Sequence, residues 1–133
     1  MRGFHTGLMA HRPPMLLVDD LTAPDTATLT VRPDNIFLTG SGALSRAGLL
    51  EFLAQSFSAA DAYRAWLAGI RVPPGGYLVG LEHAEFHGDA AIGDTLTATV
   101  RRDGNVGRVV MASGEVRRGD TLLASADFRV FGF

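Results

Sequence analysis

One stretch decides the fold: residues 45–68, which read SRAGLLEFLAQSFSAADAYRAWLA. It is the only long stretch with a helical pattern, and apolar residues occupy most of its circumference. A helix that is apolar on most sides is normally surrounded by protein. Ser45 before it is typical of an N-cap, and Gly69 after it is typical of a C-terminal cap. We therefore expect one central helix with the rest of the chain wrapped around it.

Two polar side chains interrupt the apolar surface of this helix. Glu51 and Gln55 are four residues apart, so they lie on the same face. Burying a carboxylate is costly unless the group is paired or has a chemical task. We predict that Glu51 is catalytic; the alternative is a carboxylate that caps a backbone N–H or pairs with an arginine at the interface. Gln55 is predicted to orient Glu51 or to contact the substrate, with a structural hydrogen bond as the alternative.

The segments on both sides of the helix predict an antiparallel sheet. Apolar or alternating stretches predict strands over Met15–Leu21, Thr26–Arg32, Tyr77–Phe86, Thr95–Arg101, Arg108–Arg117 and Thr121–Phe131. Turn signals lie at Pro73-Pro74-Gly75-Gly76, Asp103-Gly104 and Gly119-Asp120. The predicted order is two strands, one helix and a four-stranded antiparallel meander. This order indicates an α+β fold.

Composition narrows the possible functions. The length of 133 residues fits one domain spanning residues 1–133. A net charge of −2 gives no electrostatic case for binding nucleic acid. The chain has no cysteine, which excludes disulfides, thiolate metal sites and a cysteine nucleophile. No stretch approaches the roughly 18 apolar residues of a membrane span. We expect a cytoplasmic protein without a membrane span and without a cofactor.

The length of the helix also predicts an oligomer. A helix over residues 45–68 is about 36 Å long at about 1.5 Å per residue. A single sheet covers one side of it, so the opposite apolar side would stay exposed in a monomer. Exposed apolar patches of that size usually mark an interface. We therefore predict a homodimer.

One cluster has the residue types of a metal site. His83, Glu85 and His87 alternate along a predicted strand and would point the same way. Their side chains would extend along a line of about 13 Å, too long for one ion to gather all three. We predict no metal site, and we interpret the cluster as a polar edge facing solvent.

Three stretches resemble a known family. These are His11–Asp19 (HRPPMLLVD), Leu50–Gln55 (LEFLAQ), and Gly80–Phe86 (GLEHAEF) followed by Gly93–Leu96 (GDTL). Together they resemble the motifs of the beta-hydroxyacyl-acyl-carrier-protein dehydratases, which have the hot-dog fold. The likeness extends over nearly the whole chain, so it implies an antiparallel sheet wrapped around one long central helix.

The resemblance implies a reaction. In the family, a 3-hydroxyacyl thioester on acyl-carrier protein enters a tunnel at a dimer interface. A histidine removes the C2 proton, and a carboxylate on the helix helps the C3 hydroxyl to leave as water. A backbone N–H at the helix N-terminus polarises the thioester carbonyl. Glu51 matches the helix carboxylate of the family.

The loop before the helix departs from the family pattern. The family has its catalytic histidine in a Gly-His-Phe-Pro-Gly loop, whereas this chain has the shorter stretch Phe37–Leu44, FLTGSGAL. Gly40 matches the family's glycine, and Ser41 falls where the histidine should be. This loop is closer to a divergent branch found in aryl-polyene-type biosynthetic clusters. Gly40 and Gly42 are predicted to contact the substrate with Gln55.

Two residues are candidates for the role of the missing histidine. Ser41 is a possible hydrogen-bond donor or nucleophile, but a serine cannot act as a base at neutral pH. A turn residue between two glycines is the favoured interpretation of Ser41. His11 is the best-placed replacement for the base; the alternative is a structural role in fixing the N-terminal segment.

These features lead to one function and two alternatives. We expect a hydro-lyase resembling the 3-hydroxyacyl-acyl-carrier-protein dehydratases of fatty-acid or polyketide-type biosynthesis, with Glu51 as the acid. The first alternative is a hot-dog thioesterase in which Glu51 activates water. The second is a non-catalytic subunit that binds acyl thioesters. The acyl carrier, either acyl-carrier protein or coenzyme A, stays open.

Overall fold

The computed structural model describes residues 2–70 and 77–131. A short 3-10 turn at Thr6–Leu8 is followed by β1 (Asp20–Ala23), β2 (Thr26–Thr30), α1 (Arg46–Leu67), β3 (Tyr77–Phe86), β4 (Thr95–Val106), β5 (Val109–Arg118) and β6 (Thr121–Phe131). The strands form one antiparallel sheet in the order β1-β2-β4-β5-β6-β3, and α1 packs against one face of it. The predicted α+β hot-dog fold is confirmed.

Both predicted ends of the helix are confirmed. Ser45 is extended, and its Oγ accepts a hydrogen bond from the backbone N–H of Gly48 at 3.0 Å. At the other end Gly69 has a φ of +70°. The N–H of Ile70 donates to the carbonyl of Ala65 at 2.9 Å, which completes a Schellman cap.

Small residues on the sheet let the helix lie close to it. Ala98, Ala112 and Ala126 are buried in the hydrophobic core. A Cβ added to Gly114 would lie 2.7 Å from the Leu53 side chain and 2.7 Å from the Thr99 carbonyl oxygen. Close approach of helix and sheet therefore requires glycine at position 114.

The predicted four-stranded meander is wrong. Only β4, β5 and β6 are consecutive neighbours; β3 pairs with β6, and β4 pairs with β2. Residues 87–94 cross one end of the sheet between β3 and β4. Along this crossing the backbone N–H of His87 donates to the Leu123 carbonyl at 2.8 Å, and the Asp94 carbonyl accepts from the backbone N–H of Val31 at 2.9 Å. These long-range bonds place β4 next to β2, so that β5 and β6 lie between β4 and β3 in the sheet.

The predicted hairpin at Asp103-Gly104 is also wrong. β4 continues to Val106 through an irregularity between Arg102 and Gly104, and the turn follows at Gly107, whose φ is +58°. Gly107 is the first residue of a two-residue loop, where a positive φ suits the twist of the strands. The predicted turn at Gly119-Asp120 is confirmed, since it joins β5 to β6.

The first predicted strand, Met15–Leu21, begins later in the structure. β1 starts at Asp20, although Leu17 and Val18 are buried as expected. The N–H of Leu17 donates to the side chain of Gln55 at 2.8 Å instead of to a strand. Residues 15–18 therefore pack on the helix, and pairing with β2 begins at Asp19, whose N–H donates to the Thr28 carbonyl at 2.8 Å.

The side of the helix that faces away from the sheet is more covered than predicted. The hydroxyl of Tyr63 donates to the carbonyl of Arg2 at 2.7 Å, and the Phe4 ring packs edge-on against Tyr63. Exposed apolar side chains remain at the C-terminal end of the helix, at Trp66 and Leu67, and on β3, where Leu78, Val79 and Leu81 are 42–57% exposed. The expected exposed helix side is thus covered in part by the N-terminal segment. The predicted connection at 73–76 lies outside the described residues.

Within residues 2–70 and 77–131, no helix combines the length and apolar character needed to span a membrane.

Candidate active site

The site is built at the N-terminal end of α1. The first turn of the helix packs tightly, because a Cβ on Gly48 would lie 2.7 Å from Phe37 Cβ and 2.9 Å from Leu44 Cδ1. Ser45 satisfies the N–H of Gly48. The N–H groups of Arg46 and Ala47 have no hydrogen-bond acceptor among the described residues. They are free donors at the positive end of the helix dipole.

The loop before the helix is a compact turn. The N–H of Thr39 donates to the Ala43 carbonyl at 2.7 Å, and Gly42, with a φ of +80°, donates to the Thr39 carbonyl at 3.0 Å. Ser41 is exposed, and its hydroxyl lies 2.9 Å from that of Thr39. A Cβ on Gly40 would meet nothing within 4 Å. The hydroxyl of Ser41 is thus shared within its own turn, and Gly40 borders open space.

Glu51 is half-buried on the helix, about one and a half turns from Ser45. The only hydrogen bond of its carboxylate within the described part of the chain comes from Gln55 Nε2 to Oε1, at 3.0 Å. None of the ion pairs formed by those residues includes Glu51. Within one chain, the described residues therefore give Glu51 no arginine partner, and pairing with an arginine across an interface stays a prediction. The Oε2 atom has no donor among residues 2–70 and 77–131.

Gln55 is completely buried, at 0% exposure, and connects three parts of the site. Its Oε1 accepts from the N–H of Leu17 at 2.8 Å, and its Nε2 donates to the carbonyl of Met15 at 2.9 Å as well as to Glu51. The segment Met15–Leu17 is thereby fixed beside Glu51. Sequence reasoning placed Gln55 next to Glu51 but did not predict this contact with the N-terminal segment.

His11 lies on the same N-terminal segment, four residues before Met15. Its Nδ1 atom is buried and has no hydrogen-bond partner in the described structure. The guanidinium of Arg12 donates to the carbonyls of Met9 and His11, and the Arg12 carbonyl accepts from Met15 and Leu16. These bonds fix the turn that presents His11. No histidine hydrogen-bonds Glu51 within the described ranges.

A charged residue near the site stabilises the connection from β3 to β4. Asp94 Oδ2 accepts from the N–H of Ala91 at 2.9 Å and from Arg118 at 3.2 Å. The backbone bond from Ala91, followed by the bond and charge of Arg118, lowers the pKa of Asp94, although burial opposes this. Arg118 also donates to the carbonyl of Asp89 at 2.7 Å. Sequence reasoning missed this pair because its members are far apart in the chain.

Arg46 is a second residue that sequence reasoning missed. It is the first residue of α1, and its guanidinium lies 4.8 Å from the centroid of the Phe86 ring. A cation at the positive end of a helix dipole is unfavourable, so the contact with the ring offsets part of that cost.

The cluster of His83, Glu85 and His87 is divided. An irregularity between Glu82 and Glu85 interrupts the expected alternation, and His83 has a φ of +52°. His83 Nδ1 lies 2.9 Å from Asp127 Oδ2, whereas His87 pairs with Glu85 at 3.6 Å. The residues that the structure describes contain no group of three or more side chains arranged to bind a metal.

Comparison with solved structures finds the same fold in proteins of low sequence identity. A chain from "The Dehydratase Heterocomplex ApeI:P from Xenorhabdus doucetiae" has a TM-score of 0.86 and 18% identity, over 95% of this chain and 88% of that chain. The PaaI protein of the Escherichia coli phenylacetic acid degradation operon has a TM-score of 0.62 and 18% identity, over 80% and 73% of the two chains. A Bartonella henselae structure called "Probable Thioesterase" has a TM-score of 0.60 and 17% identity, over 80% and 86%.

These likenesses establish the fold, since the identities are low. A search of curated protein sequences gives no match. A family model described as ApeP-like, ApeP dehydratase, matches residues 5–132. Because this match extends over nearly the whole sequence, the chain belongs to the ApeP-like family of dehydratases.

Proposed function

We propose that this protein removes water from 3-hydroxyacyl thioesters and that Glu51 is the acid of the reaction. The observation that supports this most strongly is the state of Glu51: it is half-buried, and the part of the chain that the structure describes gives it no cationic partner and gives Oε2 no donor. A carboxylate that stabilised the fold would normally be paired with a charge or with several donors. A carboxyl group kept free at one oxygen is suited to exchange a proton with a substrate.

The proposed reaction uses three groups of the protein: a base, backbone N–H donors and an acid. A base takes the C2 proton, and the thioester carbonyl develops negative charge as an enolate. The free N–H groups of Arg46 and Ala47 are suited to stabilise that charge. Glu51 then gives a proton to the C3 hydroxyl, the C3–O bond breaks, and water leaves an enoyl thioester. We assign the base to His11, because its Nδ1 is buried without a partner among the described residues and because it lies four residues before Met15, which bonds Gln55 next to Glu51.

The base assignment has its own test. Replacing His11 by Asn keeps a polar side chain but removes the basic nitrogen, so we expect enoyl formation to fall by about 10²-fold or more. His87→Asn is the matched control, since His87 pairs with Glu85 on the β3 side of the molecule. An unchanged rate in His11→Asn would exclude this histidine as the base.

A thioesterase is the second candidate function. No histidine bonds Glu51 among the described residues, and a carboxylate that activates water needs no histidine. The two functions give different products from the same 3-hydroxyacyl thioester: enoyl thioester from dehydration, and free thiol from hydrolysis. We expect enoyl thioester. Formation of free thiol alone would favour the thioesterase. Formation of no product at all would favour a non-catalytic subunit.

The carrier and the partner are part of the same proposal. Offering the thioester on acyl-carrier protein and on coenzyme A distinguishes the two carriers, and we expect turnover on acyl-carrier protein. We also propose a homodimer formed through β3. This strand ends the sheet and has exposed apolar side chains at Leu78, Val79 and Leu81. An open, apolar edge strand is a template for pairing with another strand.

A further inference from the structure

The amide of Gln55 has one possible orientation. The N–H of Leu17 can only donate, so the Gln55 atom 2.8 Å from it must be the oxygen. The carbonyl of Met15 can only accept, so the atom 2.9 Å from it must be the nitrogen. The oxygen and the nitrogen of an amide have nearly the same shape, so they are told apart by their hydrogen bonds. Here two backbone groups determine that the nitrogen of Gln55 faces Glu51.

This orientation determines how the two oxygens of Glu51 differ. One hydrogen of Gln55 Nε2 is used by Met15, so the other points to Glu51 Oε1 at 3.0 Å. Oε1 must accept that hydrogen bond whether the carboxyl group is ionised or protonated. Because the carbonyl oxygen of a carboxyl group is a better acceptor than its hydroxyl oxygen, this bond favours the proton on Oε2, which has no protein donor within the described residues.

Gln55 has no hydrogen left for a substrate. Both hydrogens of its amide are in hydrogen bonds, its oxygen faces the N–H of Leu17, and the side chain is completely buried. A direct contact with the thioester would require breaking one of these buried bonds, which is costly. Its action on a substrate must pass through Glu51.

We propose that Gln55 is a positioning residue that assigns the acid proton to Oε2 of Glu51 and couples Glu51 to the segment Met15–Leu17. The assignment rests on the proposed function for its catalytic meaning. When Oε2 gives its proton to the leaving hydroxyl, Glu51 becomes a carboxylate, and Oε1 keeps the same bond from Gln55. The same arrangement serves both protonation states, so little reorganisation accompanies proton transfer.

The coupling can be measured without any substrate. Gln55 is the only glutamine in the chain, so ¹⁵N-labelling of glutamine side chains gives a single pair of amide proton signals. We expect Glu51→Ala to shift one signal of the pair strongly and the other little, because one hydrogen faces Glu51 and the other faces Met15. Glu115→Ala, which changes a glutamate paired with Arg117, should move neither signal. Two signals unmoved by Glu51→Ala would overturn the proposal.

Kinetics then separates positioning from structural support. Gln55→Met keeps the length of the side chain and removes its bonds, so we expect kcat to fall by about 10²-fold with KM nearly unchanged. Ser56→Ala is the matched control, since it removes another buried bond of the same helix, from Ser56 Oγ to the Phe52 carbonyl at 2.6 Å. Both variants should lose stability, but only the first should lose kcat.

The outcomes distinguish this inference from the proposed function. Equal kcat values for the two variants, measured where both are folded, would overturn the positioning role. If the wild-type protein forms no enoyl product, the proposed function fails, and the amide signals still decide whether Gln55 orients Glu51. If Gln55→Met does not fold, the Glu51→Ala measurement decides alone.

Discussion

At the scale of single residues, the site depends on Glu51 and on the buried amide of Gln55, which donates to it at 3.0 Å. A carboxylate on an otherwise apolar helix conflicts with the cost of burial, and this conflict identified Glu51 from the sequence. The partners of Gln55 were not predictable, because Met15 and Leu17 are about forty positions away and contact it only through tertiary packing. The role of His11 depends on the same contact, so sequence reasoning could name it only as a candidate.

The cap of the helix gives a prediction for Ser45. Replacing Ser45 by Ala removes the acceptor of the Gly48 N–H, so we expect the free energy of unfolding to fall by about 1 kcal/mol. Ser45→Asp keeps an acceptor at the same place and should retain most of the stability. Urea unfolding measures both variants, and equal losses for Ala and Asp would show that the cap does not contribute.

The first turn of the helix gives a second prediction, for Gly48. Alanine favours a helix over glycine, yet its Cβ would lie 2.7 Å from Phe37 Cβ. We expect Gly48→Ala to destabilise the protein by about 1–3 kcal/mol, because the close contact must be relieved by moving the loop. Gly40→Ala is the control, since no atom lies within 4 Å of its added Cβ. A Gly48→Ala variant as stable as the wild type would contradict the close packing.

At the scale of elements, local patterns and long-range pairings were not equally predictable. The helix, its two caps and the bounds of β3 and β6 followed from periodicity and turn residues, which are local features. The pairing of β3 with β6 depends on the crossing by residues 87–94, whose bonds reach residues far away in the sequence. The turn at Gly107 comes later than predicted because β4 continues through an irregularity between Arg102 and Gly104. The sequence has no signal for this irregularity, and its Asp103-Gly104 pair indicates a turn at the wrong place.

The crossing between β3 and β4 has a pH-dependent contribution to stability. The pKa of Asp94 is lowered in the folded protein, first by the Ala91 N–H and then by Arg118. Its stabilisation is therefore complete above the unfolded value of about 3.9 and is lost as the pH falls through the lower folded value. We expect Asp94→Asn to cost on the order of 1 kcal/mol at pH 7.

The same variant should become no less stable than the wild type at low pH, where Asp94 of the wild type is protonated. Unfolding free energies measured from pH 7 to pH 2 check this, with Asp120→Asn as the control in the turn between β5 and β6. If the difference in unfolding free energy between the wild type and Asp94→Asn stays constant over this range, the pH-dependent contribution of Asp94 is refuted.

At the scale of the whole molecule, the exposed apolar side chains of the edge strand β3 indicate an interface. The sequence predicted a dimer from the exposed side of the helix, but the N-terminal segment covers much of that side. Exposed apolar side chains remain at the C-terminal end of the helix, at Trp66 and Leu67, but those on β3 lie on a strand at the edge of the sheet. The dimer thus stays a prediction, and its expected interface moves from the helix to β3.

Light scattering at micromolar concentration tests that interface. We expect the wild type to have twice the mass of one chain and the double variant Val79→Glu, Leu81→Glu to have the mass of a monomer, because charges at the edge oppose pairing. Val106→Glu is the control: Val106 is 72% exposed but lies on the hairpin between β4 and β5. A wild-type monomer, or a dimer that survives the double variant, would refute pairing through β3.

The central claim is that Glu51 is the acid of a dehydration, and one measurement tests it most directly. The initial rate of enoyl formation from a 3-hydroxyacyl thioester on acyl-carrier protein is compared for the wild type, Glu51→Gln and Glu115→Gln. Glutamine keeps the shape of the side chain but has no acidic proton, so we predict a loss of about 10²–10⁴-fold in Glu51→Gln. Glu115, paired with Arg117 away from the helix, should tolerate the same change. Enoyl formation at the wild-type rate in Glu51→Gln would contradict the account.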